Sequence, residues 1–389
     1  MSKYIFLLGK DPQLSLAELY AVYPKAHFLE KNSHFALLEM NQVLAQGDLD
    51  QLGGVVKLAE VVEQVDRKQV VHILFDQLLS SRKINKESGS VGKIHYGLSV
   101  YGWSERNLRS LLLELKKKMK VAGYNSRFAN QDFKNLSVAQ YKGLCKKGSE
   151  WILAKGKGVF YVTKTIAVQD IDAYSFRDYH KPFRTMLVGM LPPKLAQILI
   201  NLTQVQPNQR VWDPFCGGGV LLMEGLLKDL IMWGSDINRE TLKGAQQNLA
   251  WLQTKRGIDA RIRLFYHDAA TPLVGRLPDA VACEGYLGPP QRGYFRNLVR
   301  QQKMLRELES LYIRFFDALK SVDLKGPVVI AFPFYRSKQG EVHLNRAFEM
   351  IEKLGYFPDV LIPGSGKTHL NYIRDTQWVG RRIMRFRSI

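Results

Sequence analysis

The stretch VWDPFCGGGVLLMEGLLKDLIMWGSD, residues Val211 to Asp236, decides the fold. It opens as a short apolar strand and turns through Asp213-Pro214-Phe215-Cys216-Gly217-Gly218-Gly219. It then takes up helical periodicity and ends in a second strand closed by an acid. A glycine-rich turn that leaves a strand and opens a helix is the setting in which such a turn holds a cofactor. Three consecutive glycines carry no Cβ, so a ligand can lie against the backbone and the turn can use positive φ. Asp236 follows Asp213 by 23 positions, the separation at which a doubly wound sheet offers a carboxylate to ribose hydroxyls at the end of the next strand. The reading is a nucleoside-bearing cofactor. Contiguous glycines after Asp-Pro-Phe-Cys depart from G-x-G-x-x-G, which argues against NAD or FAD.

The string DPFCGGG resembles motif I of the class I S-adenosylmethionine-dependent methyltransferases, in the D-P-F-C-G-[ST]-G form of RNA and amino-group methylases. Beyond Asp236 the alternation continues. Arg239 to Leu252 reads as a helix, Arg261 to Tyr266 as a strand closing at Asp268, and Asp279 to Cys283 as a strand closing at Glu284. A long amphipathic helix falls within Phe295 to Leu319, Val328 to Phe332 is another strand, and Leu344 to Leu354 a helix. The strands Phe357 to Ile362 and Gly380 to Phe386 suggest an antiparallel edge. Strands alternating with helices make an α/β domain around a mostly parallel sheet covered on both faces.

In such a sheet ligands gather at the carboxyl ends of the strands. By position Asp236 takes the ribose hydroxyls, Asp268 the adenine amino group, and Glu284 faces the substrate. The candidate cofactor residues are Asp213, Pro214, Phe215, Gly217, Gly218, Gly219, Asp236, Ile237 and Asp268. The segment Cys283-Glu284-Gly285-Tyr286-Leu287-Gly288-Pro289-Pro290 occupies the place where amino-group methyltransferases carry [DNS]-P-P-[YF]. An exocyclic base amine is a poor nucleophile because its lone pair is delocalised. The site must therefore supply acceptors for its N–H bonds and an aromatic face for the base. Glu284 is the candidate side-chain acceptor, the Gly285 carbonyl the main-chain acceptor and Tyr286 the stacking ring. Neither proline stands at its usual place, and Leu287 holds the usual aromatic position.

Upstream, residues 1–60 read as a small α+β subdomain, with Ser15-x-x-Glu18 as a capping box between Leu14 and Leu19. Residues 61–172 read as a second α+β domain, with helices capped by Ser104 and Ser137 and a hairpin turn at Gly156-Lys157-Gly158. Ser175 to Arg184, SFRDYHKPFR, reads as a connector, and residues 173–389 form the α/β domain. The chain has 56 Lys and Arg against 36 Asp and Glu, a net charge of +20, which calls for a polyanionic partner. Half of that excess lies between Arg106 and Lys157, with 13 bases against the acids Glu114, Asp132 and Glu150. Helix-terminal complementation accounts for Lys116, Lys117, Lys118 and Lys120. It does not account for Arg127, Lys134, Lys142, Lys146, Lys147, Lys155 and Lys157, which are the candidate phosphate contacts, with Tyr124, Phe128, Phe133 and Tyr141 between them. Three separated cysteines and no apolar run long enough for a bilayer point to a cytoplasmic protein without metal or disulfide.

RDYHKPFR, GMLPPKLAQILINL from Gly189, VWDPFCGGG, GSDIN, EGYLGPP and the tail RDTQWVGRRI together resemble the THUMP-domain RNA methyltransferases, the tRNA guanine-N2 methyltransferases acting at tRNA position 10 among them. The resemblance implies an N-terminal ferredoxin-like plus THUMP module that grips the tRNA acceptor end. It also implies a Rossmann-like domain that uses S-adenosylmethionine to methylate N2 of a guanosine. A small activator protein, and a monomer or a homodimer, are compatible with it. Two other readings stay open: amino methylation of DNA or another RNA, and a non-catalytic RNA-binding protein with a degenerate EGYLGPP site.

Overall fold

The computed structural model describes residues 1–80, 93–184, 190–258, 261–291, 293–295 and 297–388. Gly189, and Arg296 inside the expected long helix, lie outside the described residues. Two units are present.

The first unit comprises Met1–Pro12, Lys25–Asp50 and Val55–Ile171. Its strands are β1 (Ser2–Leu8), β2 (His27–Lys31), β3 (Phe35–Met40), β4 (Val55–Val65), β5 (Ile94–Tyr101), β6 (Ser126–Phe128), β7 (Gly148–Lys155) and β8 (Phe160–Val168). They form one sheet in the order β2-β3-β1-β4-β8-β7-β5-β6. β5 runs parallel to β6 and β7, and the other pairings are antiparallel. The boundary drawn at residue 60 falls inside β4. That strand is 11 residues long and pairs with β1 on one side and β8 on the other, so the two stretches read as separate modules share a sheet.

In chain order the helices are α1 (Pro12–Val22), α2 (Gln46–Asp50), α3 (Val70–Ser80), α4 (Glu105–Val121) and α5 (Val138–Leu144). Ser104 caps α4 by accepting from Arg106 N at 3.4 Å, and Leu108, Leu111, Leu112, Leu115 and Met119 form its buried stripe. Ser137 caps α5 in a reciprocal box with Gln140. Ser15-x-x-Glu18 is not a capping box. α1 starts at Pro12, where a missing N–H costs nothing, which puts Ser15 and Glu18 inside the helix. The Glu18 carboxylate instead accepts from Gly53 N and Gly54 N, both at 2.8 Å, and the Ser15 hydroxyl donates to Gly54 O.

The second unit comprises Gln13–Pro24, Gln51–Gly54 and Asp172–Ile389. It carries β9 (Arg210–Asp213), β10 (Ile231–Asp236), β11 (Ile262–Tyr266), β12 (Ala280–Glu284), β13 (Val328–Ser337), β14 (Gly340–Val342), β15 (Tyr356–Pro358), β16 (His369–Tyr372) and β17 (Val379–Ser388). Its remaining helices are α6 (Ile171–Tyr179), α7 (Pro193–Leu202), α8 (Val220–Leu226), α9 (Arg239–Arg256), α10 (Leu298–Ser321) and α11 (Asn345–Lys353). The sheet order is β11-β10-β9-β12-β13-β17-β15, with β14 on β13 and β16 on β17. β9 to β13 are parallel, and β17 and β15 make the antiparallel edge. The buried run Val328 to Tyr335 in β13 is what a strand covered on both faces requires. α10 lays Met304, Leu308, Tyr312, Phe315 and Leu319 onto the core.

The stretch read as a connector is structured: α6 runs to Tyr179, and Arg177 is buried with its guanidinium on the buried Glu224 carboxylate, Nε to Oε1 2.5 Å and Nη2 to Oε2 3.1 Å. The last expected strand but one shrinks to β15. Pro358 removes a ladder donor, and Asp359 turns its carboxylate to Arg385 and Arg387, each at 2.7 Å.

Candidate active site

β9 is where strand order reverses, with β10 and β11 on one side and β12 and β13 on the other. The crevice outside the carboxyl end of a sheet at such a reversal is where ligands bind. Asp213 ends β9, Asp236 ends β10 and Glu284 ends β12.

The three glycines of the turn have different surroundings. Gly217 (φ +47°) and Gly219 (φ +78°) use the left-handed region. A Cβ on Gly217 would meet nothing within 4 Å, so this is the open side of the turn. A Cβ on Gly218 would lie 3.3 Å from the Phe183 ring, and one on Gly219 3.2 Å from Ala245 Cβ on α9. Asp236 ties the turn to β10: Oδ2 accepts from Gly217 N at 2.9 Å and Oδ1 from Asn238 N at 2.8 Å. Each oxygen keeps a second lone pair for a ligand. Ile237, beside it, is 61% exposed and offers an apolar face.

Asp213 is buried, with Oδ1 accepting from Phe215 N at 3.1 Å. Burial above all, then the charges of Asp236 and Glu284, push its carboxyl well above the usual range despite that bond. Pro214 is buried, and Phe215 packs on Tyr312 and Phe315 with ring centroids 6.4 and 5.5 Å away. These residues shape the floor of the turn. Asp268 lies two residues beyond β11, and its Oδ1 accepts from Ala270 N at 2.9 Å, which holds its own turn.

The loop after Glu284 is built by two tyrosines from distant elements. Tyr312 of α10 donates its hydroxyl to Tyr286 O at 2.8 Å, and Tyr335 of β13 donates to Leu287 O at 2.7 Å. A Cβ at Gly285 would lie 2.4 Å from the Tyr312 hydroxyl, and one at Gly288 (φ +78°) 2.6 Å from that of Tyr335. A proline at 285 would press on the Tyr312 ring and lose the N–H that Gly285 donates, which gives a physical reason for the absence of the first proline of [DNS]-P-P-[YF]. Gly285 N donates to Ala331 O, continuing the β12–β13 ladder. The Tyr286 ring is 47% exposed, whereas Leu287 is buried.

Glu284 is not alone. Oε1 accepts from Arg381 Nε on β17 at 2.7 Å, and the Arg381 side chain is 2% exposed. Burial raises the Glu284 carboxyl above its ordinary range, and the guanidinium acts against that rise.

Five residues of this site were missed by sequence reasoning: Phe183, Asn248, Tyr312, Tyr335 and Arg381. Phe183 lies in the stretch read as a connector. Its N donates to Asn248 Oδ1 at 2.8 Å, and Asn248 Nδ2 donates to Phe183 O and to Gly218 O at 3.0 and 2.8 Å. A fully buried asparagine on α9 thus fixes the glycine turn. An aromatic after Lys-Pro and an asparagine in a helix carry no local signal of that role.

The basic candidates of the first unit are spread along its sheet. Arg127 and Lys147 converge with Lys93 around His95, whose imidazole is held below its usual range by burial and then by these three charges. Lys155 ends β7 and Lys157 follows it, roughly 23 Å along the strand from its start at 3.3 Å per residue. Lys134, Lys146, Lys155 and Lys157 are exposed, while Lys142 is paired with Asp170 at 3.2 Å. Tyr124, Phe128 and Phe133 pack against the core rather than standing free. Among the described residues no group of three or more His, Cys, Asp or Glu side chains could hold a metal ion.

Residues 182–267, from the Phe183 segment to His267, match the family of RMKL-like methyltransferase domains. That stretch of the second unit is similar to a methyltransferase domain. Two curated relatives are similar to part of the chain: the tRNA (guanine(10)-N2)-dimethyltransferase of Methanothermobacter thermautotrophicus, 34% identical over 91 residues, 23% of this chain and 26% of that protein, and its counterpart of Pyrococcus abyssi, 30% identical over 143 residues, 37% and 39% of the two chains. The match thus spans between a quarter and two fifths of the curated relatives' length. The solved structure of TrmN from Thermus thermophilus covers 100% of both chains with a TM-score of 0.55 at 14% identity, a likeness of fold. The fold is that of a Rossmann-like methyltransferase preceded by an α+β unit.

Proposed function

We propose that the protein transfers a methyl group from S-adenosylmethionine to the N2 amine of a guanosine in tRNA. The observation that carries this reading is Glu284 at the end of β12, beside the strand that leads into the open glycine turn. The names of the curated relatives supply the substrate class. We take residues 1–172 as the ferredoxin-like plus THUMP-type RNA-binding module, with the cations around His95 as one cluster of positive charge in it, and the protein as a cytoplasmic enzyme. No helix among the described residues is long and apolar enough to cross a membrane.

The crevice fits the cofactor. Gly217 is open where a nucleoside would approach, Asp236 retains lone pairs for ribose hydroxyls, and Ile237 presents an exposed apolar side chain to an adenine. Asp213, Pro214 and Phe215 shape the floor beneath it, Gly218 and Gly219 set the turn, and Asp268 stands at the adenine end. When bound, S-adenosylmethionine would supply an electrophilic methyl carbon, with S-adenosylhomocysteine as the leaving group that would keep the electron pair of the C–S bond.

The protein's own residues prepare the nucleophile. The guanine is turned out of its stack, as chemistry on a base requires, and rests against Tyr286. Glu284 accepts one N–H of the amine and the Gly285 carbonyl the other. The nitrogen lone pair is drawn out of conjugation and aimed in line at the methyl carbon. The proton lost from N2 passes to Glu284 and on to water. The basic unit selects the RNA by backbone charge and shape.

The test is methyl transfer from isotope-labelled S-adenosylmethionine to unmodified tRNA, with duplex DNA in parallel, followed by nucleoside mass spectrometry. The expected product is labelled N2-methylguanosine from tRNA. Label in DNA and none in tRNA would overturn the substrate; no label in either, with cofactor binding intact, would overturn the activity.

A further inference from the structure

We infer that Arg381 is the positioning residue of the site: it holds Glu284 as an oriented, ionised acceptor, and the Glu284–Arg381 pair does the work of the proline-braced acidic motif that this chain lacks. The inference rests on the proposed amine methylation for its meaning, but not for its test.

Three observations support it. First, a proline at 285 would force the Tyr312 ring to shift, because its hydroxyl lies 2.4 Å from the Cβ position there, and it would remove the N–H that Gly285 donates to Ala331 O. Second, the carboxylate is braced from the opposite side. Arg381 is 2% exposed and its Nε lies 2.7 Å from Glu284 Oε1, while its Nη1 is anchored on Gln377 Oε1 at 3.3 Å. A guanidinium fixed by two elements sets the rotation of the carboxylate as well as its charge. Among the described residues Oε2 accepts no hydrogen bond, so the pair leaves one oxygen for a ligand amine. Third, the surroundings oppose ionisation. Among the described residues the groups facing Glu284 are Asp213 at the end of β9, Cys283 on its own strand, Tyr312 on α10 and Arg381 on β17. Of these only Arg381 is a cation, and Asp213 adds a like charge when ionised. Without the guanidinium a buried glutamate takes up a proton, and its hydroxyl becomes a donor where an acceptor is needed.

The sign follows. The acceptor works only when ionised, so activity falls as pH drops through the Glu284 pKa, and loss of Arg381 raises that pKa and moves the acid limb of the pH–rate profile upward.

The experiment compares wild type, Arg381→Met, Arg381→Lys, Glu284→Gln and Glu284→Gln/Arg381→Met in the full-length protein. Arg381→Met should lower kcat about 100-fold at neutral pH, a typical worth for an acid–base group, with KM for S-adenosylmethionine within about twofold. Its acid limb should rise by at least about one unit, tenfold in ionisation, and Arg381→Lys should recover part of the loss. In the Glu284→Gln background, where a neutral amide needs no counterion, Arg381→Met should cost no more than about threefold, far short of additivity. Full additivity, or an acid limb that stays in place, would overturn the inference. Isotope-edited infrared spectroscopy of the Glu284 carboxyl gives a second reading that needs no turnover. Protonation of Glu284 at higher pH in Arg381→Met than in wild type supports the role even if tRNA proves not to be the substrate, and unchanged titration overturns it.

Discussion

The two halves of the crevice are built in opposite ways. The cofactor end is mostly local: strand, turn, helix and acid lie within 26 consecutive residues, Val211 to Asp236, and the bond from Gly217 N to Asp236 Oδ2 joins two of them, with Asn248 and Phe183 bracing the turn from outside. The substrate end is assembled from afar. Glu284 meets Arg381, 97 positions later, and the loop carbonyls of Tyr286 and Leu287 are held by Tyr312 and Tyr335, 26 and 48 positions later. A backbone cradle must use particular residue types at fixed spacing, because glycine conformation and a strand-end acid create it. A side-chain cradle can change its sequence if a partner elsewhere changes with it.

Substitutions can break this contrast at either end. Gly217→Val puts a β-branched residue at φ +47°, a strain of ~1–2 kcal/mol, and fills the open side. Cofactor affinity should fall on the order of 100-fold, about 2.7 kcal/mol, measured by calorimetry, with folding retained by circular dichroism. Unchanged affinity would remove the turn from the cofactor site.

The substrate end should respond to compensation instead. Gly285→Ala should destabilise the protein by about 1–3 kcal/mol through overpacking against the Tyr312 hydroxyl. In a Tyr312→Phe background, which itself costs about 0.5–1.5 kcal/mol for the lost bond to Tyr286 O, the 2.4 Å contact is gone while ring contacts at 2.7 and 2.9 Å remain, so the alanine should cost less but still something. Equal cost in both backgrounds, by urea denaturation, would mean that Tyr312 does not set the identity of residue 285.

A smaller effect sharpens the picture of the RNA unit. Lys147→Glu, in the cluster around His95, should weaken tRNA binding and reduce the salt slope by about one to two, at about 0.9 per phosphate contact for a duplex. Lys155→Glu, at the other end of β7, asks whether the RNA reaches that far. A larger loss from Lys155 than from Lys147 would move the binding face.

The sequence carried the α/β order, the caps at Ser104 and Ser137 and the glycine turn, because each rests on neighbours within a few positions. It did not carry the shared sheet of the first unit, since β4 serves two partners and a strand does not announce how many edges it will use. Ser15-x-x-Glu18 had the letters of a cap, yet Pro12 starts the helix earlier and the pair faces Gly53 and Gly54. At the site, Glu284 could be found from its place at a strand end, but Arg381 could not, because a buried arginine and a surface one look alike in a basic chain. The missing first proline in EGYLGPP reads as decay only until the Tyr312 hydroxyl is seen 2.4 Å from the Cβ position of Gly285.

The most direct measurement is single-turnover methyl transfer to unmodified tRNA by wild type and Glu284→Ala, with S-adenosylmethionine affinity measured on the same preparations. Wild type should form N2-methylguanosine, and the variant should bind the cofactor equally well while transferring about 10²- to 10⁴-fold more slowly. Cofactor-loaded wild type that leaves tRNA unmethylated, or a Glu284→Ala variant as fast as wild type, would contradict the account.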